Sequence, residues 1–354
     1  MAVGPDFSEP DKILIRATNW IGDAVMSLPA LQAMRARFPK AQMTVLARPW
    51  VADLYARERA IDRVILYDAP AGMQGLRQKW AMAKMLRRER FDLAILFQNA
   101  FEAAALARLA GIRRRVGYDR DGRGWLLTDP IAVPVAGEIP AHQRFYYLEL
   151  LRRAGLLESM PACDHIRLAG AREAAAEGRA HFDRFGLRAP CIGVSPGAAY
   201  GTAKRWLPKR FAEAATRVAA QHGASVALFG SKAEHSLCEE VAVLIDAPVQ
   251  NFAGATSLRQ FIEMTAACKL FLTNDSGAMH IASALGIPTV TVFGATDDRA
   301  TGPTGPLARV VRHPVECSPC LLRECPIDHR CMTRVTSVEV ANAGLELIAT
   351  ASTA

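Results

Sequence analysis

A chain of 354 residues, 51% apolar and 22% charged, is too long for one ordinary core and too apolar for disorder, so two folded domains are expected. Its formal charge of +8 suits an anionic partner: nucleic acid, an acidic membrane surface or a phosphorylated glycan. The opening MAVGPDFSEPD lacks the basic and apolar segments of a leader, and no stretch nears the roughly 20 apolar residues of a spanning helix, so a cytoplasmic protein is expected.

Along the chain, short apolar runs alternate with longer amphipathic stretches, the pattern of βα units on a parallel sheet. The first half predicts strands at 13–16, 43–47, 63–67 and 93–97. The first of these runs into ATNWIGDAV, where the G-x-G-x-x-G of a dinucleotide site is missing. Gly22-Asp23 stands in its place. Ser27 and Pro29 predict that a helix restarts there and leaves Asp23 in the loop. An acid in that loop could take a proton from an acceptor hydroxyl, or it could simply favour a helix N-terminus.

The basic run at 84–90, KMLRRER, fits a solvated helix face when taken alone. Arg113, Arg114, Arg115, Arg120 and Arg123 predict an arginine- and glycine-rich loop. Asp119-Arg120-Asp121 has D-x-D spacing, but no strand is predicted before it, so it is read as a turn; Asp297-Asp298 is equally weak as a metal site. A helix is predicted at 146–155, a connector at 161–168 and a helix at 172–185. The domains are therefore set at 1–165 and 166–354.

The second half predicts strands at 191–195, 225–229, 270–273 and 289–293. Three of them end in loops rich in small polar residues. SPGAAYGTAKRW, from Ser195, carries Gly197 and Lys204, a cation able to reach a phosphate, though not at P-loop spacing. Gly230 and Ser231 to Glu234 follow the next strand. Asn274-Asp275-Ser276-Gly277 opens a helix that holds His280, and a helix start of this kind offers free N–H groups to an anion such as a diphosphate. Each loop alone fits a cap or a turn; three at the carboxyl ends of one sheet predict a ligand crevice.

Cys317, Cys320, Cys325 and Cys331, with His313 and His329 nearby, could supply four zinc ligands, but the spacing matches no standard module. A reduced, partly buried cysteine loop is the preferred reading.

With Gly22-Asp23, the S-P-G-A…A-K-R-W loop, NFAGATSL from Asn251 and N-D-S-G-x-M-H-I-A from Asn274, the sequence resembles the ADP-heptose:lipopolysaccharide heptosyltransferases, glycosyltransferase family 9. The A-K-R-W form and the C-x-P-C…C-P…H-x-C-M segment are most similar to the heptosyltransferase II branch. The resemblance implies an α/β GT-B fold: two Rossmann-like domains facing across a cleft, the first for the acceptor and the second for the nucleotide sugar. It implies inverting transfer of heptose from ADP-L-glycero-D-manno-heptose to heptosyl-Kdo2-lipid A, with no required metal.

By that likeness Asp23 corresponds to the general base. Ser195, Gly197, Lys204, Gly230, Ser231, Glu234, Asp275, Ser276, Gly277 and His280 fall at the donor site, with Glu234 near the adenosine. Trp20, Gly22, Arg120 and Arg123 are expected at the acceptor side. The partners implied are a nucleotide sugar and a lipid-anchored inner core, which places the protein on the cytoplasmic face of the inner membrane. Rival readings are another family transferase with a different acceptor or nucleotide sugar, and a non-catalytic sugar-nucleotide sensor. A nucleic-acid partner rests on net charge alone, with no recognition module.

Overall fold

The computed structural model describes residues 9–70 and 72–353. Most of the N-terminal stretch read for a leader lies outside them. The chain divides into two compact units, Met1–Cys163 and Asp164–Ala354.

The first unit is built on a sheet of β1 (Lys12–Arg16), β2 (Gln42–Ala47), β3 (Arg63–Leu66), β4 (Leu93–Leu96), β5 (Arg114–Tyr118) and β6 (Asp129–Ile131), in the order β3-β2-β1-β4-β5-β6. Every pairing is parallel. The strands beside the switch in order are the most apolar: Ile13, Leu14 and Ile15 of β1 and all of β4 are buried, as a sheet covered on both faces requires.

The second unit repeats this plan with β7 (Cys191–Ser195), β8 (Ser225–Leu228), β9 (Val249–Asn251), β10 (Cys268–Asn274), β11 (Thr289–Val292) and β12 (Ala308–Val311), ordered β12-β11-β10-β7-β8-β9 and again parallel. Ile192 and Val226 pack with Phe211, Ala215 and Val218 of the helix Pro208–His222. A separate cluster gathers Phe229, Phe252 and Phe271, with Phe229 stacked on both of the others. Each unit is thus a Rossmann-like α/β layer, as expected.

The eight predicted strands are present; β5, β6, β9 and β12 were not predicted. Three of these four are edge strands, where half-exposed residues blur the alternation, and β6 even carries Pro130. β5 hid behind its arginines. Arg114 Nε donates to Asp129 Oδ1 at 3.1 Å and Arg115 Nε to the Leu126 carbonyl at 2.8 Å, so both cations are tied into the fold rather than free in a loop. Asp119-Arg120-Asp121 does follow a strand, therefore, although Asp121 sits in the left-handed region of a turn. The run at 84–90, apart from Arg90 just past its end, lies on the helix Leu76–Glu89, which buries Ala83 and Leu86 and exposes Lys84, Arg87 and Arg88. Among the described residues no helix is long and apolar enough to cross a membrane.

Candidate functional site

In open parallel sheets the loops at the carboxyl ends flank a crevice wherever strand order reverses. In the first unit that point lies between β1 and β4, and in the second between β7 and β10. The sequence-predicted residues gather at both.

Beyond β1, Asp23 is the third residue of a short helix, Ile21–Met26, not part of a loop as expected. Pro29 is accommodated in the first turn of a second helix, Leu28–Arg37, and the six residues before Ser27 close a helical turn of their own, with Ala24 N donating to the Trp20 carbonyl at 2.9 Å. A carboxylate in a first helical turn meets the positive end of the helix dipole. The Tyr147 hydroxyl, brought in by the helix Arg144–Arg153, donates to Asp23 Oδ1 at 3.4 Å. Burial, then the charge of Asp23, hold the Tyr147 phenol well above its usual pKa, so it remains a donor. Sequence reading missed Tyr147, which 124 positions separate from Asp23. Trp20 caps this helix and is exposed, and Gly22 precedes Asp23 in it.

The two acceptor-side arginines part company. Arg120 is exposed beyond β5, beside Asp121 at 3.7 Å. Arg123 is fully buried, donating from Nε to the Tyr118 carbonyl at 3.0 Å, from one terminal nitrogen to Asn99 Oδ1 at 2.9 Å and from the other to the Gln98 carbonyl. Burial lowers its pKa to about 10. It ties the ends of β4 and β5 together, so the expectation that Arg123 offers a surface charge to an acceptor is corrected.

In the second unit, Lys204 Nζ donates to Asp275 Oδ2 at 2.6 Å, and Thr296 Oγ1 donates to the same oxygen at 2.5 Å. Asp275 is buried. Asn274, the last residue of β10, accepts from Trp206 N at 2.9 Å and donates to the Pro196 carbonyl at 2.7 Å, fastening both ends of the Ser195–Trp206 loop. Neither Asn274 nor Thr296 had been assigned a role; Asn274 was visible only as the first letter of a turn. Ser276 caps the helix Gly277–Ala284 without a side-chain bond to its backbone, and His280 is buried within it.

The loops after β7 and β8 meet. A Cβ on Gly197 would stand 2.0 Å from Glu234 Oε1, so glycine is what lets them approach. The Glu234 carboxylate accepts from Ser231 N and Oγ, both at 2.8 Å, closing the turn beyond Gly230. Ser195 ends β7, buried beside these loops.

The cysteine-rich segment supports the same loop. Ala203 N donates to the Arg323 carbonyl at 2.9 Å, and Tyr200 Oη to the Leu321 carbonyl at 2.8 Å. The four thiols, with His329, border a cavity of about 20 Å³ beneath Ala203. All are reduced, and burial, followed by the other three thiols, raises the Cys331 pKa. Among the described residues no three His, Cys, Asp or Glu side chains are grouped to hold a metal ion.

A wider cavity of about 340 Å³, lined by His165, Leu168, Ser283 and Leu307 among others, borders Leu285–Gly286 and Leu307, just before β11 and β12. That is the amino-terminal edge of the sheet, away from the convergent loops.

The model of the family described as Glycosyltransferase family 9 (heptosyltransferase) matches residues 79–330. The chain belongs to that family. This family 9 glycosyltransferase is 31% identical over 309 residues to lipopolysaccharide heptosyltransferase 2 of Escherichia coli K12, covering 85% of this chain and 88% of that protein. It is also 31% identical over 319 residues to lipooligosaccharide heptosyltransferase 2 of Haemophilus ducreyi, with the same coverage. The solved structure of the E. coli ADP-heptose lipopolysaccharide heptosyltransferase II superposes with a TM-score of 0.80 at 28% identity, over 96% of this chain and 99% of that one.

Proposed function

We propose that this glycosyltransferase moves heptose from ADP-L-glycero-D-manno-heptose onto the heptosyl-Kdo2-lipid A inner core of lipopolysaccharide; its relatives are named lipopolysaccharide heptosyltransferase 2. The observation that carries the reading is, within the second unit, the Lys204 ammonium held by Asp275 beside an open helix start at the switch point, a ready site for a diphosphate; the first unit separately presents the Asp23 carboxylate at its own switch point.

Asp23 takes the proton of an acceptor hydroxyl while that oxygen attacks the anomeric carbon. The carbon–oxygen bond to the diphosphate breaks, ADP departs with the electron pair, and the configuration inverts. Base assistance of this kind contributes about 10²- to 10⁴-fold. Tyr147 is a positioning residue that aims the carboxylate. The departing diphosphate gains charge, which Lys204 and the N–H groups at Ser276 and Gly277 offset, a contribution that is usually the largest in such sites. Asp275 holds Lys204 in place, and Ser195, Gly197, Gly230, Ser231 and Glu234 shape the nucleotide pocket with His280 behind it. Fixed donors of this kind let the step run without a resident metal.

Trp20, Gly22 and Arg120 face the acceptor, and the protein works in the cytoplasm, peripheral to the inner membrane. The test is ADP release from ADP-heptose in EDTA, with and without a heptose-bearing inner-core acceptor. Acceptor-dependent release that collapses in Asp23→Asn supports the reading; wild type that binds donor without turnover overturns it in favour of a sensor.

A further inference from the structure

Charge is unevenly divided between the units: residues 1–163 hold 24 Lys and Arg against 17 Asp and Glu, a net +7, while residues 164–354 hold 19 against 18. Within the first unit, residues 69–88 contain five basic side chains and no acidic one. Most of that stretch forms the helix Leu76–Glu89. Leu76, Trp80, Lys84 and Arg88 recur at intervals of four, so they share one stripe, and all four are exposed. Met73, just before the helix, is 80% exposed.

The adjoining helix, Phe101–Leu109, extends the surface. It exposes Phe101 and Arg108, and both lie against Trp125: Phe101 with ring centroids 6.1 Å apart, Arg108 with its guanidinium 5.5 Å from the indole. Trp80 and Trp125 are 58% and 65% exposed, whereas Trp206, in the second unit, is 1% exposed. Large aromatic side chains left in water beside cations, with the nearby carboxylate of Glu102 taken up by Lys79 and Tyr67, suit a boundary that is apolar below and anionic above.

We infer that the exposed faces of the helices Leu76–Glu89 and Phe101–Leu109, with Trp125, dock this enzyme onto an anionic lipid bilayer: Met73, Leu76, Trp80 and Trp125 enter the headgroup layer, and Lys84, Arg87, Arg88 and Arg108 meet its phosphates. The inference rests on the proposed lipid-anchored acceptor and adds the surface that meets the membrane. Charge complementarity selects the occupant, since each basic side chain near an anionic leaflet strengthens binding about fivefold.

The experiment is co-sedimentation of the full chain with vesicles of phosphatidylglycerol and phosphatidylethanolamine, and with vesicles of phosphatidylcholine alone. Binding only to the anionic vesicles is expected, with a blue shift of tryptophan emission. Lys84→Ser with Arg88→Ser should weaken it about 25-fold at low salt and much less at high salt. Trp80→Ser should weaken it at either salt and, with Trp125→Ser, abolish the shift. All these sites are exposed, and an unchanged thermal midpoint checks each variant's fold. Equal binding to neutral vesicles, no binding by wild type, or binding indifferent to these substitutions overturns the inference. Turnover with a deacylated, water-soluble acceptor should be unchanged in every variant; its absence in wild type would instead count against the proposed reaction.

Discussion

At the end of β1 the Asp23 carboxylate is half-buried in a first helical turn, 3.4 Å from a phenol. At the end of β10 the Asp275 carboxylate is buried and takes an ammonium at 2.6 Å and a hydroxyl at 2.5 Å from the same oxygen. Both aspartates stand at the reversal of a 3-2-1-4-5-6 sheet, yet their surroundings differ, and the proposed mechanism gives them opposite work. A half-buried carboxylate beside a phenol that stays protonated suits the proposed role of proton acceptor. One locked in a buried ion pair is spent on holding a cation still. Position in the fold therefore brings a residue to the crevice, and its partners decide what it does there.

The largest expected effect breaks the comparison at its chemical end. Asp23→Asn should cut kcat by about 10²- to 10⁴-fold. The donor dissociation constant, read by calorimetry, should stay unchanged, because Asp23 belongs to the other unit from the donor loops. Retained turnover would remove Asp23 from the base role. Tyr147→Phe should give a smaller kcat loss that does not alter donor binding.

Lys204→Ala attacks the other aspartate. It strands a buried carboxylate with Thr296 as a remaining donor, so the second unit should lose about 3 kcal/mol in urea unfolding, and donor affinity should fall with it. A loss of affinity without loss of stability would mean that the pair is not held in the free enzyme.

A third test separates two arginines that look alike in the sequence. Arg123→Ser removes the buried donors to the carbonyls of Gln98 and Tyr118 and to Asn99 Oδ1, costing about 2 kcal/mol or more. Arg120→Ser, at the surface, should stay within about 0.5 kcal/mol of wild type and raise only the acceptor KM. Equal thermal midpoints for the two would contradict the burial of Arg123.

That pair also marks how far the sequence could be read. Strands flanking each switch point were legible because both their faces are buried, which makes them uninterrupted apolar runs such as Ile13 to Ile15 and Leu270 to Leu272. The donor loops were legible because glycine and small polar residues follow such strands directly. Arg123 was misread, and β5 missed, because composition cannot tell a cation bonded to carbonyls from one in water. Asp23 was placed in a loop because Pro29 signals a helix start without saying whether another turn precedes it. Tyr147 and Thr296 were invisible for a different reason: each acts on an aspartate far away in sequence, and only the folded sheet brings them together.

A modest effect sharpens the convergence of the loops proposed to hold the donor. Gly197 is not in the left-handed region, so alanine meets no backbone strain there; its Cβ would instead stand 2.0 Å from Glu234 Oε1. That carboxylate ends a flexible side chain and can swing aside, giving up its bonds from Ser231 N and Oγ. Gly197→Ala should therefore cost only about 1 kcal/mol, together with weaker donor binding. Glu234→Ala should cost a similar amount, since it loses the same bonds. In the double variant nothing is left to displace and no further bond to lose, so the two penalties should coincide instead of adding, a coupling of about 1 kcal/mol by a double-mutant cycle in urea. Additive penalties would mean that the loops after β7 and β8 do not touch through this pair.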